Sequence, residues 1–155
     1  MTRPRWRVSD IPMGLPRPGI PVTLVCGAPC SGKTTYVKTY ANPGDTIIDV
    51  DDYKEQLGGI RWGNDKEITI KAFALRNEAL RDLSLKRLGR AWFITSAPTE
   101  EERMDWKAAL GDAEVVVMQT SIEDCLHRVK DDPARWPYAA RLDKAIRRWF
   151  KEAGL

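Results

Sequence analysis

Two glycines and a lysine–threonine pair at fixed spacing, Gly27-Ala-Pro-Cys-Ser-Gly32-Lys33-Thr34, narrow the folds open to this chain more than any other feature. The segment follows the apolar run Val22–Cys26 and opens a helical stretch from Lys33 to about Tyr40, so the local order is strand, loop, helix. With Gly near 7% of residues, chance produces this spacing in about one chain of this length in a few hundred. The flanking strand and helix lower that figure further. A loop of this kind can turn its amides, here Cys30 through Thr34, toward one centre at the positive end of the helix, where phosphate oxygens are stabilised. Gly27 and Gly32 permit the turn, Lys33 offers a cation to β/γ oxygens, and Thr34 offers a hydroxyl to Mg2+. Ser31 and Thr35 complete the nucleotide-binding set. The bland alternative is a glycine-bearing turn with no ligand, and Cys30 within it is read as a spectator thiol.

The rest of the chain extends the pattern. Thr46–Val50, Ala91–Thr95 and Glu114–Met118 join Val22–Cys26 as short apolar runs expected to be buried strands. Between them lie helical stretches: one from Asp65 behind Asn64 as N-cap, fading at Gly89; Arg103–Leu110 after the capping pair Thr99 and Glu102; Ile122–Lys130 after Ser121 and Asp124. Pro137 suits the first turn of a last helix ending at Glu152. Strands alternating with helices through short connections imply a parallel sheet covered on both faces, with ligands at the carboxyl ends of the strands. The expected architecture is a three-layer α/β P-loop NTPase fold over residues 22–155, with a lid region near its C-terminus.

Ile47-Ile48-Asp49-Val50-Asp51-Asp52-Tyr53-Lys54 places three carboxylates where the second strand ends. Strand alternation puts Asp49 and Asp51 on one side, at the edge that the glycine loop occupies. An acid there can bind Mg2+ or accept a proton from an attacking hydroxyl. Alternatively, Asp51 or Asp52 caps a helix that includes Tyr53–Leu57.

From its loop to Asp51-Asp52-Tyr53-Lys54, the sequence resembles the small P-loop kinases, and most of all the 5′-kinase domain of phage-type polynucleotide kinase. In that family the second strand ends in an Asp-Asp-Tyr-Arg sequence. The resemblance implies Asp51 as general base for the acceptor hydroxyl and Lys54, in place of the family arginine, as a contact to the acceptor's phosphate; the donor expected is ATP, and Asp49 with Thr34 is the candidate metal pair. It continues more weakly through Thr95-Ser96-Ala97-Pro98-Thr99 and a helix with Arg103 and Trp106, and it covers most of residues 22–150 in order. Where the family often has an aspartate after strand three, this chain has Thr95-Ser96-Ala97, so metal coordination rests on Thr34, water, and Asp49 or Asp51. The family also carries a lid whose arginines close over the phosphates, which points to Arg128 and Arg135. Ordinary surface pairing of these arginines with Asp131 or Asp132 is the competing reading.

Charge and composition exclude more than they identify. Residues 1–21 form a Pro/Arg-rich arm with four arginines and one acid, and the remainder has equal numbers of bases and acids. The arm's Trp6, Ile11, Met13 and Leu15 either lie on the domain surface or accompany arginines that touch nucleic-acid phosphate. Arg128 to Lys151 carries eight bases against three acids, with Arg141, Lys144, Arg148 and Lys151 along one helix face. Leu142, Ala145/Ile146 and Trp149 recur at helical spacing on another face and are expected in the core. One histidine, His127, and three cysteines, Cys26, Cys30 and Cys125, form no zinc pattern, and the cysteines are expected as free thiols. No long apolar run and no secretory leader pattern occur, so a cytoplasmic protein without membrane association is expected. The function expected is transfer of a γ-phosphate to a hydroxyl, on a nucleotide or nucleic-acid 5′ end. Another small-molecule kinase, or an ATP-binding accessory module, stands as the alternative.

Overall fold

The computed structural model describes residues 11–155, so Arg3, Arg5, Trp6 and Arg7 of the arm lie outside the described residues. Strands β1 (Val22–Cys26), β2 (Thr46–Asp49), β3 (Ala91–Thr95) and β4 (Glu114–Val117) form one parallel sheet in the order β2-β3-β1-β4. Val22 stands opposite Ala91 and Thr23 opposite Glu114, which makes β1 a central strand. Every residue of β1 and β3 is buried, the physical reason that both read as unbroken apolar runs.

Parallel neighbours cannot be joined by hairpins, and here the crossings are helical. The helices are α1 (Lys33–Tyr40), α2 (Val50–Gln56), α3 (Lys66–Asp82), α4 (Glu100–Ala109), α5 (Ile122–Asp131) and α6 (Ala139–Glu152). Strand alternation sorts the core. Leu24, Ile48 and Phe93 face Leu80 of α3 and Trp106 of α4, whereas Val25, Trp92 and Ile94 face Val37 of α1. A third cluster joins Cys125 and Val129 of α5 to Leu142, Ile146, Trp149 and Phe150 of α6, and rests on Ala28 of the glycine loop. That contact sets the C-terminal helices beside the loop.

Trp106 is fully buried and meets Phe93 edge-on at 4.8 Å between ring centroids. The buried Arg76 guanidinium lies 5.4 Å from the Trp106 ring. Trp106→Ala is expected to cost about 3–5 kcal/mol in a urea unfolding curve, since the site is closed by sheet and helix and cannot collapse. A loss below about 1 kcal/mol would show that this face is loosely packed.

Asp45, just before β2, accepts from Trp92 Nε1 at 2.9 Å and from the amides of Asn42 and Arg90. The Trp92 bond is the main cause of a depressed carboxyl pKa. Its stabilisation is complete above the ordinary carboxylate range and is lost as pH falls through the folded pKa. The Tm difference between wild type and Asp45→Ala should therefore shrink in acid.

Several boundaries differ from those expected. β2 ends at Asp49 and Val50 already belongs to α2, because Asp49 accepts from the Asp51 amide and caps the helix itself. Asp49 and Asp51 are thus on strand end and helix, and strand alternation does not relate them. Neither Asp51 nor Asp52 is the cap. Asp65, not Asn64, caps α3 by accepting from the Ile68 amide. α4 starts at Glu100 directly behind Thr99, three residues before the expected Arg103. The last helix starts at Ala139, because residues Pro133–Tyr138 form 3₁₀ turns that contain Pro137. In the arm, Ile20 is buried and Ile11 and Leu15 pack on the core, while Met13 is exposed. Among the described residues no helix is long and apolar enough to cross a membrane.

Candidate active site

The carboxyl end of β1 runs into the loop Gly27–Gly32, and both glycines are required by geometry. A Cβ at Gly27 would stand 2.6 Å from Ser31 Oγ and 2.9 Å from Met118 Cβ. Gly32 has φ +96°, a left-handed backbone that side chains disfavour, and a Cβ there would meet Arg128 Nη1 at 3.1 Å. Cys30 is also left-handed, at φ 63°. Strain of this kind collects at ligand-binding turns.

Lys33 reaches back across the loop to the carbonyls of Gly27 (2.6 Å) and Ala28 (3.0 Å). Burial lowers its pKa, opposed by the charges of Asp51 and Asp49. Burial pushes the Cys30 thiol up, against the charges of Arg135, Lys33 and Arg128. Cys26 and Cys125 are buried free thiols pushed up by burial to about 12 and about 11.

Ser31 Oγ is buried and has no hydrogen-bond partner among the described residues. An unpaired buried hydroxyl is costly, and an oxygen-rich ligand in the loop would satisfy it. Together with the two glycines and Lys33, this makes the loop fit a nucleotide phosphate chain. Thr34 Oγ1 and the Asp49 carboxylate supply hard oxygens of the kind Mg2+ takes. Among the described residues, no group of three or more His, Cys, Asp or Glu is arranged to hold a metal.

The carboxylates divide by environment. Asp49 is buried, and its Oδ2 accepts from Arg61 at 2.8 Å. Burial, then the charge of Asp51, raise its pKa to about 6, while the Asp51 amide and Arg61 pull the other way. Asp51 is half-exposed on the first turn of α2, 3.5 Å from Lys54 Nζ. Asp52 pairs with Arg61 at 2.7 Å. Lys54 is buried and also donates to the Gly63 carbonyl at 3.5 Å.

Two clefts meet over this segment. The first, about 380 Å3, runs along Cys30–Thr35 and includes Arg61, Trp62 and Arg135. The second, about 360 Å3, is lined by Phe73, Thr95, Pro98, Arg148 and Glu152 among others. Lys33, Asp49, Asp51, Lys54 and Arg141 line both. Gly27 lies at the base of the loop and lines neither.

The structure brings the two lid candidates to the loop by different routes. Arg128 Nη1 donates to the Cys30 carbonyl at 3.0 Å. Arg135 stacks over Trp62 at 5.4 Å and lies 3.6 Å from Asp132. The competing reading of surface pairing is thus met for Arg135 with Asp132, whereas Asp131 pairs with His127, at 3.0 Å on the surface of α5. Of the basic stripe, Arg141 and Arg148 reach the clefts and Lys144 and Lys151 do not. Arg103 donates to the carbonyls of Ala97 and Pro98 and so fixes the turn after β3.

Sequence reading missed Arg61 and Trp62. Their only signal was a bulky pair among glycines in Gly58-Gly59-Ile60-Arg61-Trp62-Gly63, between two helices. Arg61 holds Asp49, Asp52 and Glu55 together. Burial disfavours its charge, but the bonds to Asp52, Asp49 and Glu55 outweigh that and raise its pKa.

A parallel sheet whose central strand delivers a glycine cradle, a lysine and a threonine to a helix start defines a nucleotide-binding P-loop domain. The family model described as AAA domain (AAA_33) matches residues 22–149, and the chain belongs to that family, which includes P-loop kinases. No curated protein matches the chain in a sequence search.

Proposed function

We propose that the chain is a kinase that moves the terminal phosphoryl group of ATP to a hydroxyl of an anionic acceptor, a nucleotide or nucleic-acid 5′ end. One observation carries this reading: the loop cleft and the second, cation-bearing cleft meet at Lys33 and Asp51. A donor phosphate held by Gly27–Thr35 would point its terminal phosphorus toward Asp51. An acceptor in the second cleft would meet it across the shared Lys33 and Asp51, and transfer requires that approach to be in line. Asp51 takes the hydroxyl proton as the acceptor oxygen bonds to phosphorus and the bond from phosphorus to the β–γ bridging oxygen breaks. The ADP leaving group departs along the loop with that electron pair, facing Lys33. Mg2+ at Thr34 and Asp49 would neutralise charge on the phosphate oxygens when bound.

Lys54, Arg141 and Arg148 give the second cleft three cations for an acceptor phosphate, and Thr95 Oγ1, buried without a partner among the described residues, offers a hydrogen bond at its floor. Arg128 and Arg135 are proposed as the lid cations, both already against the loop or its neighbour Trp62. The arm arginines, the remaining candidates for nucleic-acid contacts, are reserved for a long acceptor.

Labelled ATP should transfer phosphate to a 5′-hydroxyl oligonucleotide in preference to nucleosides. Acceptor binding should weaken with salt by about 0.7 log units per contacted phosphate per decade. Neutralising Arg141 and Arg148, or deleting residues 1–17, should weaken long acceptors more than short ones. Equal activity on a mononucleotide and a long strand, with a flat salt response, would leave a small-molecule kinase. ATP binding without transfer to any acceptor would favour an accessory module.

A further inference from the structure

The connection between α2 and α3 carries one arginine, and its side chain touches the same oxygens assigned above to the metal. Arg61 Nη2 donates to Asp49 Oδ2 at 2.8 Å and lies 3.5 Å from Thr34 Oγ1. Nη1 donates to Asp52 Oδ1 at 2.7 Å and to Glu55 Oε1 at 2.5 Å. We propose that Arg61 and the metal–nucleotide are alternative occupants of the Thr34 and Asp49 oxygens, so that loading the donor displaces Arg61 and releases its loop. This rests on the nucleotide-binding reading of the glycine loop.

The reason is steric and electrostatic. An ion held by Thr34 Oγ1 and Asp49 Oδ2 together would stand about 2.0–2.1 Å from each, and Arg61 Nη2 already occupies the space between these two oxygens, 3.5 Å from the first and 2.8 Å from the second. Two cations side by side in a partly buried cleft repel with little screening. Asp52 and Glu55 are 45% and 55% exposed and hold the guanidinium from its outer side, which gives it somewhere to go.

The consequence reaches both clefts, because the same short loop carries their other contacts. The Trp62 ring lies under Arg135 at 5.4 Å, and the Trp62 carbonyl accepts from Arg141 at 2.5 Å. The Gly63 carbonyl accepts from Lys54. Outward movement of Arg61 therefore loosens one lid cation and frees two acceptor-cleft cations from backbone carbonyls. Arg61 is a positioning residue that makes acceptor binding follow donor binding.

The test is amide exchange on the full chain in three states: alone, with ADP and EDTA, and with ADP and Mg2+. Gly59 and Gly63 amides are bonded within this region, to Lys54 and Ile60 carbonyls, and report its release. Exchange in peptides covering 57–64 should rise several-fold with Mg2+–ADP relative to ADP and EDTA, while peptides covering 27–35 slow. In a second arm, Mn2+ binding at saturating ADP is followed by electron paramagnetic resonance. Arg61→Gln should bind Mn2+ about tenfold more tightly than wild type, with Arg61→Lys between them. Melting curves establish that the variants fold, and if they do not, the exchange arm on wild type decides alone. Unchanged or slower exchange in 57–64 with Mg2+–ADP bound, or unchanged or weaker Mn2+ binding by folded Arg61→Gln, overturns the proposal. Calorimetry that finds no ADP binding by wild type would instead remove the nucleotide-binding reading, and the proposal with it.

Discussion

Lys33→Ala is expected to lower phosphoryl transfer by at least about 10²–10³-fold while leaving the unfolding midpoint close to that of wild type. The lower bound is the usual cost of removing one preorganised electrostatic contact to developing charge. Lys33 lies at the junction of the two clefts, where the charge on the transferring group would be greatest. Its present bonds are to two loop carbonyls, of Gly27 and Ala28, rather than to core side chains. Single-turnover kinetics with labelled ATP, beside a thermal melt, would separate the two effects. Unchanged turnover with unchanged ATP affinity would remove the kinase reading of the loop.

Asp51→Asn should depress the catalytic step by about 10²–10⁴-fold, the range for a lost general base, with a smaller change in donor affinity. The geometry separates it from its neighbours. Asp49 and Asp51 both line the two clefts, but Asp49 is buried as helix cap and partner of Arg61 and Asp52 is turned to Arg61, which leaves Asp51 as the half-exposed carboxylate without an arginine partner among the described residues. Asp52→Asn should therefore be mild in turnover. Should Asp52 prove the sensitive position, the assignment of the base is off by one residue and Asp52 takes the proton.

The glycine loop, the four strands and most helices could be read locally. Gly27, Gly32, Lys33 and Thr34 act through backbone conformation and side-chain type at fixed spacing, and both are properties of a contiguous segment. The same holds for Thr99 and Ser121, whose side chains cap α4 and α5 by accepting from the amides three residues on. The acidic segment was legible as chemistry but not as shape. That Asp49 ends the strand and starts the helix depends on one hydrogen bond to the Asp51 amide, and any of three aspartates satisfies a local capping rule.

What remained hidden joins residues far apart in the chain. Arg61 meets Thr34 across 27 positions, Arg128 meets Cys30 across 98, and Arg141 meets Trp62 across 79. No periodicity or spacing encodes such pairs, because they exist only once β1 is flanked by β3 and β4 and α6 has packed on Ala28. The division of the basic stripe has the same origin. Arg141, Lys144, Arg148 and Lys151 look alike on a helical wheel, yet of these four only Arg141 and Arg148 line the second cleft. The sequence by itself determined a P-loop and the strand–helix alternation around it, since these follow from local backbone and hydrophobic preferences. The tertiary structure decided which cations surround that loop, since a charge acts through distance in space and not along the chain.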